Sequence, residues 1–336
     1  MDIQKNLKQA AENIIYKALE ARSNDKLIII TDKNTQKIAK IIAQTAKKLL
    51  ETKTLVIEDF TPRPARKIPK KLLDEIDKFK PTLSIYAADG KEGELPLFRR
   101  PLVEDILTGK YSCLHAHMIS ITQEIMLEGM LTDPDLLYKF TIKLYKILKS
   151  ISEIHVKDRF GTDLKVKLSK KMRWVPSHGK LRRSQYWQNL PGSEVFTTPD
   201  KVNGKIFAFI LGDYFITRKI LSKPVEFTIK NSRVQDIKTA DKNLQSELER
   251  YLSADKNANR VGEFAFGTNI GIKNIIGNLL QDEKFPGIHL AFGFPYPKET
   301  GADWISANHL DIIPLEPTVE LDGKRILDKG KYLISI

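Results

Sequence analysis

The stretch Leu27-Ile28-Ile29-Ile30-Thr31-Asp32-Lys33-Asn34-Thr35 decides the reading of the first half of the chain. Its compact β-branched run predicts a strand. The polar Thr-Asp-Lys-Asn-Thr that follows is a helix-start signal, opening an amphipathic helix over about 36–51. Upstream, Ile3, Leu7, Ala11, Ile14 and Leu19 recur close to a 3.6-residue period and predict a helix over 3–22. Downstream, Thr54-Leu55-Val56-Ile57 reads as a second strand, residues 67–78 as a helix and Thr82-Leu83-Ser84-Ile85-Tyr86 as a third strand. Strands alternating with helices make a parallel sheet covered by helices, because parallel neighbours need a crossover between them. Such sheets often hold nucleotides. The turn after Thr31 contains no glycine, however, and a pyrophosphate cannot approach the backbone closely without one, which argues against a dinucleotide site.

A further helix is predicted over 136–150, where Leu137, Phe140, Leu144 and Leu148 keep helical spacing. Beyond it the pattern changes to short alternating segments: Ile154-His155-Val156, Leu164-Lys165-Val166-Lys167-Leu168, Ile206-Phe207-Ala208-Phe209-Ile210 and Val225-Glu226-Phe227-Thr228-Ile229. They are separated by breaks at Asp158-Arg159-Phe160-Gly161, Asn203-Gly204 and Lys223-Pro224. The expected organisation is therefore an α/β domain over 1–150 with a mostly parallel sheet, then a β-rich α+β domain over 151–336. Helical insertions are expected at about 241–254 and 271–281. No internal repeat is visible.

The chain has 336 residues, of which 41% are hydrophobic and 29% charged, values that suit a globular protein of two ordinary domains. No apolar run approaches the roughly 20 residues needed to span a bilayer, and the N-terminus lacks the apolar core of a signal peptide. A single cysteine, Cys113, allows no internal disulfide, so a reducing cytoplasm is the expected compartment. The formal net charge of +13 raises the question of a polyanionic partner. Residues 1–150 carry 26 bases against 20 acids and the remainder 29 against 22, so the excess is spread evenly and there is no basic tail. One concentration stands out: Lys165, Lys167, Lys170, Lys171, Arg173, Lys180, Arg182 and Arg183, with no acid between them. Elsewhere the charge reads as a solvated surface, and nucleic acid is not the expected partner.

Metal or acid–base chemistry must draw on six histidines and the carboxylates. His115-Ala116-His117 places two imidazoles on one face of a strand, a chelating geometry, but no carboxylate lies within six residues, so a packed or substrate-facing pair competes with a metal site. His309-Leu310-Asp311 projects an imidazole and a carboxylate to the same side of an extended segment. Pro286-Gly287-Ile288-His289-Leu290-Ala291-Phe292-Gly293 buries a histidine among apolar residues, where it needs a partner. Glu194 in Leu190-Pro191-Gly192-Ser193-Glu194-Val195-Phe196 and Glu263 in Arg260-Val261-Gly262-Glu263-Phe264-Ala265-Phe266 are lone carboxylates in apolar context, either paired, with Arg260 a candidate partner for Glu263, or metal-bound. Together these residues make up the inventory of a dinuclear metal site, in which one carboxylate can bridge two cations.

Four runs in order carry a resemblance: Trp187-Gln188-Asn189-Leu190-Pro191-Gly192-Ser193-Glu194, Asn259-Arg260-Val261-Gly262-Glu263 through Asn269, Asp282-Glu283-Lys284 leading to His289, and His309-Leu310-Asp311. They resemble the motifs of the leucyl aminopeptidase T family of thermophilic metallopeptidases, over roughly residues 186–323. The resemblance implies two divalent ions, Zn, Co, Mn or Mg, held by Glu194, Glu263, His289, His309 and Asp311, with Glu263 bridging. Tyr296, seven residues beyond His289, matches a family tyrosine that ligates weakly or hydrogen-bonds an oxyanion. The implied activity is hydrolysis of the N-terminal residue of a peptide with a free amine, by a homodimer. His117 also matches the family, with no role to derive from it.

Two other readings stay open. His289, His309 and Asp311 have the composition of a facial triad for mononuclear iron, and ring-cleaving dihydroxypyridine dioxygenases resemble the same family; such a triad requires neither Glu194 nor Glu263. Alternatively the Lys165–Arg183 stretch, with Trp174, Tyr186 and Trp187 as stacking surfaces, binds a polyanion beside a vestigial site.

Overall fold

The computed structural model describes residues 2–183 and 187–334. By contacts the chain divides into two compact units, one of residues 1–138 with 179–192, the other of 139–178 with 193–336. This differs from a split at residue 150 in two ways. The helix Pro134–Leu148 gives Leu144 and Leu148 to the core of the second unit, and a returning segment adds the strand Gln188–Asn189 to the sheet of the first.

In the first unit, α1 (Ile3–Glu12) starts where the Asp2 carboxylate accepts from Lys5 N–H at 3.1 Å, and it continues as a wider π-helical turn over Asn13–Ala18. β1 (Lys26–Thr31), α2 (Gln36–Ala46), β2 (Glu51–Val56), α3 (Lys70–Phe79), β3 (Leu83–Ala87) and β4 (Leu114–His117) follow in turn. The sheet order is β2-β1-β3-β4 and then Gln188–Asn189, with every pair parallel. The α2 helix stops short of the expected residue 51, since Glu51 already pairs with Lys26. β1 is buried on both faces, as a covered parallel strand must be. The glycine-free turn after β1 is built around Asp32. Its carboxylate accepts from Thr35 N–H at 2.8 Å and from Asp89 N–H at 2.7 Å, and it pairs with the buried Arg63, which also grips Glu94.

The second unit holds two antiparallel sheets. The larger runs Arg233–Lys238, Val225–Lys230, Lys201–Ala208, Asp163–Lys167, Glu153–Lys157, Thr318–Leu321, Lys324–Asp328, Lys331–Tyr332. Its strands alternate buried and exposed, so one face makes core and the other meets solvent. Asn203-Gly204, expected to break the chain, lies inside the strand Lys201–Ala208. Gly204 has φ +126°, and a side chain there would come within 2.0 Å of the Asp163 carbonyl on the neighbouring strand. The expected helix at 241–254 forms over Lys242–Tyr251, with Asp241 capping Leu244 N–H. The one expected over 271–281 is reduced to a turn at Leu279–Asp282. The Asp282 carboxylate takes up the amides of Ile276 (2.9 Å) and Asn278 (3.0 Å) and so holds the preceding residues as a loop.

Candidate metal centre

The smaller sheet of the second unit positions the site. Its order is Ile210–Leu211, His309–Ile313, Gly287–Gly293, Val261–Gly267, Glu194–Thr197, Val175–Ser177. The register pairs His309 with Gly293, Asp311 with Ala291, Ala291 with Glu263, His289 with Ala265, and Gly267 with Glu194. Because side chains alternate, Glu194, Glu263, His289, His309 and Asp311 all project from one face. The opposite face carries Val195, Phe264, Phe266, Ile288, Leu290, Phe292, Leu310 and Ile312 into the hydrophobic core. Between the polar residues the first face carries only Ala265, Gly267, Ala291 and Gly293 along the two central strands, which leaves room for the polar side chains. At Gly293, with φ +105°, a Cβ would fall 2.1 Å from the Asn308 carbonyl, so the close approach of the strand beginning at His309 depends on that glycine.

Donor atoms within 4.8 Å of one another form three groups among the described residues: Glu194 with Glu263 and His289; Glu263 with His309 and Asp311; and Glu283 with His289 and Asp311. His289 Nε2 stands 3.5 Å from Glu263 Oε1 and 3.7 Å from Glu194 Oε2. His309 Nε2 stands 3.7 Å from Glu263 Oε2 and 3.4 Å from Asp311 Oδ1. These gaps exceed the roughly 2.9 Å of an ordinary N–H···O bond. They lie near the edge, about 3.4 Å, of a tetrahedron of ligands each about 2.1 Å from a zinc-sized ion. The Phe294 carbonyl meets His309 Nδ1 at 3.1 Å, which turns Nε2 toward the carboxylates, the usual support of a ligating imidazole. The donor set therefore fits a divalent metal.

The electrostatics describe a pocket that calls for positive charge. Burial works to lower the His289 pKa, but Glu263, Glu194 and Asp311 outweigh it and hold the imidazole up at about 9. At His309 burial is likewise overcome, chiefly by Asp311 and then Glu263, to give about 10. Tyr296, packed edge-on to His309 with centroids 5.1 Å apart, has its phenol pushed well above the ordinary value by burial and then by the carboxylates.

Sequence reasoning overlooked two residues here. Glu283 belongs to the third donor group, and Lys284 is fully buried with Nζ 2.6 Å from Glu194 Oε1 and 2.7 Å from Glu283 Oε1. The available signal was a charged pair immediately ahead of an apolar strand, where burial requires partners. Arg260, the alternative holder of Glu263, instead stacks on Trp304 at 4.3 Å.

His115 and His117 belong to the first unit, the donor groups to the second. They share a strand face as expected, with Nε2 of one 3.2 Å from Nδ1 of the other, and Ser84 Oγ at 2.8 Å from His115 Nδ1. Burial pushes His115 down to about 3 and His117 well below its ordinary value, and His117 is stacked on Tyr86 and flanked by Trp187. Among the described residues no third donor joins them in a metal group.

Four members of the basic stretch have structural partners, while Lys165, Lys167, Lys170 and Lys171 are exposed. Lys180 pairs with Glu20 and Asp135, Arg182 with Asp25 and Arg183 with Glu20, while Arg173 donates to the carbonyls of Lys298 and Glu299. Trp174 packs on Phe266, and Tyr186 lies outside the described residues. Among the described helices, none is long and apolar enough to cross a membrane.

Parallel sheet, antiparallel sheets and a face of carboxylates and imidazoles define a two-unit protein whose second unit carries a candidate metal centre. The chain belongs to the thermophilic metalloprotease (M29) family, whose sequence profile matches residues 139–311, just over half of its length and all five expected ligand positions. Among solved structures, wild-type AmpT from Thermus thermophilus is 18% identical with a TM-score of 0.69, the alignment covering 98% of this chain and 99% of that one. The 2,5-dihydroxypyridine dioxygenase from Pseudomonas putida KT2440 is 14% identical with a TM-score of 0.69, covering 99% and 98%. At these identities the two share the fold with this chain. No curated protein matches it.

Proposed function

We propose that the protein is an aminopeptidase that uses two divalent ions, Zn, Co, Mn or Mg, to hydrolyse the N-terminal residue from peptides. The observation that carries this reading is the placement of Glu263. Its two oxygens face different imidazoles, so one carboxylate is shared by two three-donor groups, the arrangement a bridging ligand needs. Glu194 and His289 would complete one position, His309 and Asp311 the other. Bound there, the ions would supply Lewis acidity to the scissile carbonyl and acidify a water. Glu263 would take and return the proton of that water, and the protonated phenol of Tyr296 would donate to the carbonyl oxygen as charge develops on it. A coordination position left open on the ions would take the substrate's free α-amine, in its neutral form, which makes the reading an exopeptidase. A homodimer in a reducing cytoplasm, with Cys113 buried and unpaired, completes the proposal.

The mononuclear iron alternative draws on the shared fold of the dioxygenase. Against it, His289 and His309 do not fall within one donor group among the described residues; each is joined to carboxylates separately. Elemental analysis combined with hydrolysis of amino-acid amides tests the proposal. Two ions per chain and release of free amino acid support it, and a single iron with oxygen uptake on a dihydroxylated ring overturns it.

A further inference from the structure

Lys284 has no place in the mechanism above, yet it is the most deeply buried charge of the site. Its side chain is 1% exposed, and its ammonium lies between Glu194 Oε1 and Glu283 Oε1 at 2.6 and 2.7 Å. A lysine this buried persists only where carboxylates compensate it. The converse holds for Glu283, which faces a centre already carrying Glu194 and Asp311.

We infer that Lys284 is a resident cation of the centre: it occupies the space between Glu194 and Glu283, withholds Glu283 from metal and confines divalent ions to the two groups that share Glu263. Three donor groups are possible on geometry, but they overlap, because His289 and Asp311 would each have to serve two. The lysine resolves the overlap. Glu194 turns its second oxygen to 3.7 Å from His289 Nε2, whereas among the described residues no ion-pair contact joins Glu283 to that imidazole, so with Glu283 held by the ammonium His289 is left to Glu194 and Glu263. Glu194 keeps Oε2 for the site while Oε1 is fixed, so the same contact orients it. Lys284 is thus a positioning residue that also opposes metal entry, since its charge repels an incoming ion at close range in a buried setting.

The inference rests on the two-ion reading, and its test separates the two. Full-length wild type, Lys284→Met and Glu283→Gln are stripped of metal and titrated with Zn2+ and Co2+, with bound ions counted by elemental analysis and Co2+ absorption recorded. Removing the resident charge in Lys284→Met is expected to tighten binding of the first ion about tenfold or more and to change the Co2+ spectrum as Glu283 becomes a ligand. A purely structural lysine would leave affinity equal or weaker, which overturns the inference. Glu283→Gln, which keeps the lysine, is expected to retain the wild-type ion count and Co2+ spectrum; loss of an ion or an altered spectrum would show Glu283 to be a ligand and also overturns it. That variant decides the matter if Lys284→Met does not fold. Should wild type bind only one ion, the dinuclear reading falls while the affinity comparison still judges Lys284.

Discussion

Replacing Glu263 with Gln perturbs both proposed metal positions with a single change. Its Oε1 faces His289 and its Oε2 faces His309, so each three-donor group loses one member. Residues that merely support ligands typically cost 10–100-fold in affinity when altered, so loss of a shared ligand should weaken each ion by about 100-fold or more. With free metal held at about 100 times the wild-type Kd, each site stabilises the folded wild type by about 2.7 kcal/mol, and a site weakened 100-fold by only about 0.4 kcal/mol. Over two sites the metal-dependent stabilisation falls from about 5.4 to about 0.8 kcal/mol. At roughly 2–4 °C per kcal/mol for a unit of this size, the rise in Tm on adding metal should shrink by roughly 9–18 °C. Calorimetry of stripped and loaded protein, run beside elemental analysis, measures it. A Glu263→Gln protein that keeps both ions, the full metal-dependent rise and its amidase activity would refute the shared-ligand argument.

Tyr296→Phe removes the proposed oxyanion donor but none of the grouped metal donors. It should lower kcat by about 100-fold or more while the ion count stays at the wild-type value; an unchanged kcat would remove Tyr296 from the mechanism. Arg63→Met strips the cation from the buried Asp32 and Glu94, and breaking such a pair from one side costs about 3–5 kcal/mol, to be read from denaturant melts; a loss below about 1 kcal/mol would show the network to be dispensable. His115 has a folded-state pKa of about 3 against an ordinary 6.5 because burial disfavours its charged form. The unfolded chain therefore binds the extra proton. Stability should decline as pH drops below about 6.5, with His115 contributing a loss of about 1.4 kcal/mol by pH 5.5. His115→Gln should flatten the stability profile between pH 7.5 and 5.5 by about that amount, and an unaltered profile would contradict a neutral buried imidazole.

Much of this was legible along the chain. The isoleucine run at 27–30 and the polar turn behind it suffice for strand then helix, because a fully apolar β-branched segment is stable only inside a covered sheet. The alternation of Gly287 to Gly293 and of Val261 to Gly267 was equally readable: a period of two sends the polar residues to one face and Phe264, Phe266, Leu290 and Phe292 to the other. Less legible were the elements that depend on distant neighbours. The Asn203-Gly204 pair resembles a turn locally, and only the approach of the Asp163 carbonyl explains a glycine within a continuous strand. The apolar residues at 271–281 suggest a helix until Asp282 collects the loop amides that a helix would have needed.

For the site, the sequence by itself determined which carboxylates and imidazoles would be buried in apolar strands, since local context sets the desolvation cost of each. It could not determine how they pair. Whether Glu263 meets Arg260 or the two histidines, whether His115 and His117 gain a third donor, and where Lys284 places its charge all depend on strand order and register. Those are settled by side chains from tens to more than a hundred positions apart packing into one core, and contacts of that range leave no periodic trace in the chain that makes them.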